Sequence, residues 1–171
     1  PQLLWKADRR LSRVRRVFPS PVDPDVAFVS ADAGLHRTLN GGKTWTLSPR
    51  TDPDVMGMIA DLAVCPASPE SVVIGTRDRG LFLSYDGGVT WRRAGGVAAG
   101  LSSLAGERGI FAREDRGWQT ILASHGEAGL GISKSIDGGR HWRVLAPMRH
   151  FRTVLSLGQE LVAASATADV P

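Results

Sequence analysis

Residues 84–91 read Ser84-Tyr85-Asp86-Gly87-Gly88-Val89-Thr90-Trp91, and this octet returns twice in altered form. Residues 38–45 read Thr38-Leu39-Asn40-Gly41-Gly42-Lys43-Thr44-Trp45. Residues 135–142 read Ser135-Ile136-Asp137-Gly138-Gly139-Arg140-His141-Trp142. The shared pattern is Ser/Thr-x-Asp/Asn-Gly-Gly-x-x-Trp, and the Asn/Asp positions lie 46 and 51 residues apart. Each element of the octet has a turn-forming reason. Glycine reaches positive φ cheaply, and an Asx side chain can bond the backbone a few residues on. The hydroxyl two residues earlier can bond across the turn. The tryptophan can fold its ring over it, half-buried, with the indole N–H on a carbonyl. The octet therefore reads as a structural clasp, and no catalytic role is assigned to it.

The similarity extends outward. Six residues before each Asn/Asp stands a glycine (Gly34, Gly80, Gly131), followed by Leu35, Leu81 or Ile132. Farther upstream lie the apolar runs Val26–Val29, Val72–Gly75 and Ile121–Ser124. The third run stands farther back, so its connecting turn is longer. Proline-rich turns, 19–24 and 66–69, precede the first two runs, and the apolar segments 14–18 and 59–65 precede those. Each repeat reads as strand, Pro turn, strand, Gly turn, strand, Asp-Gly-Gly turn, strand. Four short strands per repeat of this length is the pattern of a propeller blade.

The expected fold is all-β, a β-propeller of four-stranded antiparallel blades with about three and a half blades in the chain. The expected blades are about 11–50, 51–96 and 97–147, with an incomplete blade at 148–171 whose first strands are 153–157 and 161–165. The chain is thus one partial propeller, 1–171. Residues 1–10 are irregular or form the outer strand of a preceding blade. A rival reading puts Leu4, Leu11, Val14 and Phe18 on one face of a basic amphipathic helix with Arg9, Arg10, Arg13 and Arg16. Closing a ring requires self-association, a further chain segment, or an amino-terminal strand that completes the fourth blade.

Composition agrees. Among 171 residues, 42% are hydrophobic and 22% charged, which excludes disorder. No apolar run is long enough to span a membrane as a helix. Cys65, the single cysteine, ends an apolar segment and reads as a small core residue that makes no intrachain disulfide.

The octet resembles the Asp-box, or BNR, repeat. This repeat occurs in sialidases, sortilin-like propellers, xyloglucan-cleaving endoglucanases and photosystem II stability and assembly factors. The resemblance covers residues of about 11–146. The Gly-Gly pair and the Gly-Leu lead-in look most like the assembly-factor and xyloglucanase-type repeats. Asn40 in place of Asp and His141 in place of Thr depart from the pattern, and each should weaken its turn slightly. The motif specifies fold far more strongly than function.

The sialidase resemblance implies an arginine triad, a Tyr–Glu nucleophile pair and an Asp acid/base. The only tyrosine, Tyr85, lies inside a turn octet. Glycosidases in general need two convergent carboxylates. Asp52, Asp54, Asp61, Glu107, Glu114 and Asp115 read as loop residues, and no spacing selects a pair. The four histidines are scattered, so no metal site is expected, and no cofactor motif is present. Eighteen of the 21 basic residues are Arg, and net charge is +4. Loop arginines include Arg50, Arg92, Arg93, Arg108, Arg149 and Arg152. Arg77, Arg79, Arg113 and Arg116, on turns and on the segment 95–118, are the residues expected to meet a partner. That partner is a protein, with a membrane complex or an acidic surface as its setting. Nucleic acid is disfavoured because no recognition motif accompanies the charge.

The reading is a non-catalytic binding or assembly scaffold, extracytoplasmic as similar Asp-box proteins are. The alternative is a carbohydrate-active glycoside hydrolase, sialidase- or xyloglucanase-like, with its site partly outside this chain.

Overall fold

The computed structural model describes residues 11–51, 57–65, 68–95, 101–107, 120–125, 132–146, 151–157 and 160–165. Among them are strands and turns and no helix. The first sheet is β1 (Arg16–Pro19), β2 (Ala27–Ala31), β3 (Gly34–Thr38) and β4 (Thr46–Leu47), bonded in that order. The second is β5 (Ile59–Cys65), β6 (Ser68–Thr76), β7 (Gly80–Ser84) and β8 (Arg92–Arg93). The third is β9 (Leu101–Glu107), β10 (Thr120–His125), β11 (Ile132–Ser135) and β12 (Arg143–Ala146). A hairpin of β13 (Phe151–Leu157) and β14 (Glu160–Ser165) follows. Every pairing is antiparallel. β5 packs beside β9, and β9 beside β13, so first strands line the inside and last strands lie outside. This is a partial β-propeller of four-stranded blades.

The run Val72-Val73-Ile74 shows how one sheet is held between two others. All three residues are fully buried. Side chains alternate across a strand, so the run divides between faces. Val73 joins Cys65, Leu81, Leu83, Ile121 and Ala123 in a core between the second and third sheets. Val72 and Ile74 join Phe18, Phe28, Leu35, Leu62 and Val64 in a core between the first and second. Burying each such side chain is worth about 1.5–3 kcal/mol before entropy is counted. Cys65 acts there as a small hydrophobe. The outer strands β4 and β8 are two residues long, and Arg92 and Arg93 are exposed. Short edges, one of them charged, resist pairing with other chains.

Several expectations change. Residues 16–19 are a strand, so the helical alternative fails over 11–19, while residues 1–10 lie outside the described residues. Pro69 lies within β6, where the register shifts beside Cys65, instead of in a turn. Such an irregularity tolerates a residue without an N–H. The segment 95–118 contains β9, the inner strand of the third sheet, and is not one projecting loop. Asp61 and Glu107 lie in strands β5 and β9. Arg92 and Arg93 form β8, and Arg152 lies in β13.

Consecutive blades meet at the second glycine of the second and third Gly-Gly pairs. Gly88 and Gly139 adopt φ of +87° and +82°. A β-carbon on Gly139 would sit 3.1 Å from Leu83 of the preceding blade. On Gly88 it would sit 3.4 Å from Phe28 of the preceding blade and 3.2 Å from Trp91. Gly42 has φ of +82° too, but its nearest neighbour would be Trp45 of its own turn, at 3.7 Å. Alanine at Gly42 and at Gly139 should both cost about 1–2 kcal/mol for the left-handed backbone. Gly139→Ala should cost more, because Leu83 must also move. At about 2–4 °C per kcal/mol for a chain of this size, paired melting curves will resolve the two. Equal shifts would show that the seat on the preceding blade adds nothing.

Candidate functional site

The three Gly-Gly turns have one bonding plan. In the second, the Ser84 hydroxyl donates to Asp86 Oδ1 at 2.8 Å and accepts from the Gly88 N–H at 2.7 Å. Asp86 Oδ1 also accepts the N–H groups of Val89 and Thr90 at 2.9 and 2.8 Å. The Thr90 hydroxyl donates to Asp86 Oδ2 at 2.5 Å. In the third, Ser135 and Asp137 repeat these bonds to Gly139, Arg140 and His141. His141 Nδ1 stands 2.6 Å from Asp137 Oδ2, where Thr90 places its hydroxyl. In the first, Thr38 Oγ1 accepts from the Gly42 N–H at 2.9 Å, and Asn40 Oδ1 accepts from the Thr44 N–H at 2.9 Å. Here the polarity of the last contact reverses: Asn40 Nδ2 donates to Thr44 Oγ1 at 2.8 Å.

The carboxylates feel this environment. For Asp86, desolvation raises the pKa. Hydrogen bonds from the Thr90 hydroxyl and N–H, the Ser84 hydroxyl and the Val89 N–H outweigh it and hold the group at about 2. For Asp137, desolvation again opposes. The His141 N–H and imidazole, the Ser135 hydroxyl and the Arg140 N–H prevail and hold it well below the ordinary carboxylate range.

The three turn tryptophans, Trp45, Trp91 and Trp142, are half-buried. Trp142 Nε1 donates to the Gly139 carbonyl at 3.2 Å. Trp91 departs from the expected carbonyl: its Nε1 donates at 2.9 Å to the hydroxyl of Ser48, on the preceding blade. Ser48 in turn donates to the Gly88 carbonyl. Trp45 places its ring against Gly42 and has no such indole bond among the described residues. Two more contacts bind neighbouring turns. Arg37 Nη1 donates to the Gly87 carbonyl, and the Tyr85 hydroxyl donates to the Gly138 carbonyl at 3.2 Å.

Topology separates the polar residues between two rims. The first two Gly-Gly turns share one rim with the β1–β2 connection and the start of β6, because the Gly41 N–H donates to Asp25 O at 3.0 Å and the Gly87 N–H to Glu70 O at 2.7 Å. The turns β2–β3 and β6–β7 lie at the other rim, beside the chain entering each blade. There the Arg77 N–H donates to Met58 O at 3.0 Å, and Asp78 Oδ1 accepts the Met58 N–H at 3.2 Å. Arg77 and Arg79 are exposed on this second rim, with Arg79 3.6 Å from Asp78. Arg13 and Arg15 reach Asp32 on it at 3.7 and 3.0 Å. Arg16, beside them, lies 3.7 Å from Asp61. The sequence places Arg13 and Arg16 on a helical face and does not single out Arg15 or Asp32. The β1–β2 hairpin register, which seats Arg15 beside Asp32, is the signal that would have found them. Arg113 and Arg116 lie outside the described residues.

The described carboxylates are mostly engaged in structure. Asp32, Asp61 and Asp78 face arginines, Asp23 accepts the Asp25 N–H, and Asp86 and Asp137 close turns. Among the described residues no group of His, Cys, Asp and Glu could hold a metal ion, and no helix is long and apolar enough to cross a membrane.

The fold and these turns define the chain as part of a β-propeller. No protein-family model and no curated protein sequence matches it. Solved structures do. The GH74 enzyme of Niastella koreensis is similar over 82% of this chain at 20% identity, with a TM-score of 0.68. The GH74 xyloglucanase of Xanthomonas campestris is similar over 82% at 20% identity, with a TM-score of 0.61. In each, the matched part is 24% of that protein, so this chain spans about a quarter of their length. The computationally designed protein Ika4 matches over 97% of this chain and 93% of its own, at 12% identity and a TM-score of 0.61. These likenesses establish the fold.

The two lowered aspartates give a pH dependence. A carboxylate whose folded pKa lies below its unfolded value stabilises the fold fully above the unfolded value, here 3.8. That contribution is lost as pH falls towards about 2. The double variant Asp86→Asn, Asp137→Asn keeps an Oδ1 acceptor, as Asn40 does. Its melting temperature should fall less steeply than the parent's as pH drops below 4. Parallel acid profiles would refute this origin.

Proposed function

We propose that this chain is a non-catalytic binding or assembly scaffold of the Asp-box kind that presents its rims to a partner protein. The observation that carries this reading is the engagement of its carboxylates. Asp86 and Asp137 each accept several short hydrogen bonds inside a turn, and Asp32 and Asp61 face arginines. A glycosidase acid or nucleophile must instead be free to exchange a proton or attack a sugar carbon. Arg77 and Arg79, with Arg113 and Arg116, are the residues we assign to an acidic partner surface. Guanidinium forks suit carboxylates because they bond bidentately. The resemblance of the turns to those of assembly factors supports a membrane-protein complex and an extracytoplasmic location, and both belong to this proposal.

A second reading is favoured by one observation, the fold shared with GH74 enzymes, one of them a xyloglucanase. In it the chain is part of a glycoside hydrolase whose site is completed by residues beyond these.

The readings separate by experiment. The chain should leave a panel of xyloglucan, β-glucan and sialoside substrates intact, and it should bind a Glu-rich peptide. Arg77→Glu with Arg79→Glu should weaken that binding by about tenfold, as expected for losing two charge-assisted contacts. Glycan turnover that disappears on carboxylate substitution would decide for the hydrolase. Unchanged peptide binding would remove the two arginines from the site.

A further inference from the structure

Ten large apolar side chains stand exposed among the described residues, and five of them share the Gly-Gly turn rim: Val22, Leu39, Tyr85, Val89 and Ile136. Three of these hold one position, the residue before the Asn or Asp of each turn. Leu39 is 59% exposed, Tyr85 37% and Ile136 71%. The turn does not require an apolar residue there. Its bonds run through the hydroxyl, the Asx side chain and the glycine N–H groups. Only Tyr85 has a second task, through its hydroxyl on the Gly138 carbonyl.

Hydrogen bonds tie the three turns into one rim. Arg37 ties the first blade to the second turn, and Tyr85 ties the second turn to the third. The bonds from Gly41 to Asp25 and from Gly87 to Glu70 bring the β1–β2 connection and the start of β6 against the first two turns. Around the apolar positions, Asp25, Glu70 and Asp86 are exposed, and Asp23 and Asp137 are partly so. Lys43, Arg140 and the half-buried Arg37 are the basic groups among them. The rim is therefore apolar and predominantly acidic on a chain of net charge +4.

We propose that this rim docks a basic amphipathic segment of a partner protein. Apolar side chains of the segment rest on Leu39, Tyr85, Val89 and Ile136, and its Lys or Arg side chains meet Asp25, Glu70 and Asp86. Recurrent exposed apolar groups supply the buried contact, and the carboxylates select the sign of the partner. An anionic membrane or polymer would be repelled. The surface lies opposite Arg77 and Arg79, so the proposal stands or falls apart from the acidic-partner reading.

The test is titration of the isotopically labelled chain with a short peptide alternating Lys and Leu, followed by amide NMR. Peptides alternating Glu with Leu and Lys with Ser are run beside it. The Lys/Leu peptide should shift the amides of Leu39, Tyr85, Val89 and Ile136. Added salt should weaken its binding, and both other peptides should bind more weakly. Leu39→Ser with Ile136→Ser, at exposed positions that leave the melting curve unchanged, should weaken binding by about tenfold through lost apolar contact. Arg77→Glu with Arg79→Glu should leave it unchanged. Absence of binding, equal binding of the Glu/Leu peptide, shifts confined to the opposite rim, or unchanged binding by the serine variant would each overturn the proposal.

Discussion

The seat of the second and third Gly-Gly turns on the blade before each is the constraint from which the rest of the molecule follows. Left-handed backbone makes the turn tight, and the missing β-carbon lets it lie against Phe28 or Leu83. The polar side of the seat shows how strictly it is kept. Ser48 and Ala94 are equivalent, each three residues past its tryptophan, and their N–H groups donate to Leu35 O and Leu81 O. Where the hydroxyl of Ser48 is present, it stands between the Trp91 indole and the Gly88 carbonyl. Where Ala94 offers none, Trp142 bonds the Gly139 carbonyl directly. Either arrangement spares a shielded carbonyl the cost of going unpaired, and one residue of the preceding blade decides which is used.

The same economy appears inside the turns. Asn40, Asp86 and Asp137 all present an Oδ1 acceptor to the N–H four residues on. The other side-chain atom is free to vary, as an amide donating to Thr44, a carboxylate accepting from Thr90, or a carboxylate beside His141. A turn that tolerates a neutral, an anionic and an imidazole-paired form is defined by geometry and not by charge. This is why the repeat recurs along the chain without marking a reaction centre.

The octet made the fold legible because its chemistry is local. Two glycines, an Asx and a hydroxyl within a few residues determine the turn before any tertiary contact forms. The strand 59–65 was readable for a similar reason, as a bounded apolar run. The strand Leu101–Glu107 was not. It lies between glycine-rich and charged stretches, and its place is set by pairing with β10 and packing beside β5 and β13. The strand Arg92–Arg93 was equally hidden, since two arginines have no strand signature and owe their conformation to pairing with β7. At the rims, Arg77 and Arg79 could be picked out as turn residues. Their place opposite the Gly-Gly turns, and the company of Arg13 and Arg15, needed the sheet register. The link from Ser48 to Trp91 joins residues 43 apart, across a blade boundary that sequence spacing cannot resolve.

The fold itself accounts for part of the charge separation between the rims. The Gly-Gly turns require an Asx residue, and two of the three use Asp, so acidity gathers where those turns lie. The β2–β3 and β6–β7 connections have no such requirement, and arginine can occupy them freely, as Arg77 and Arg79 do. Part of the acidity of the Gly-Gly rim is thus a consequence of its turns. The apolar side chains before the Asx positions are different. No bond of the turn uses the side chains of Leu39 or Ile136, and exposing them forfeits the burial they would gain elsewhere. A feature the fold neither needs nor hides, repeated at one position in three blades, is the part of this surface that structure alone leaves unexplained and that a bound partner would explain.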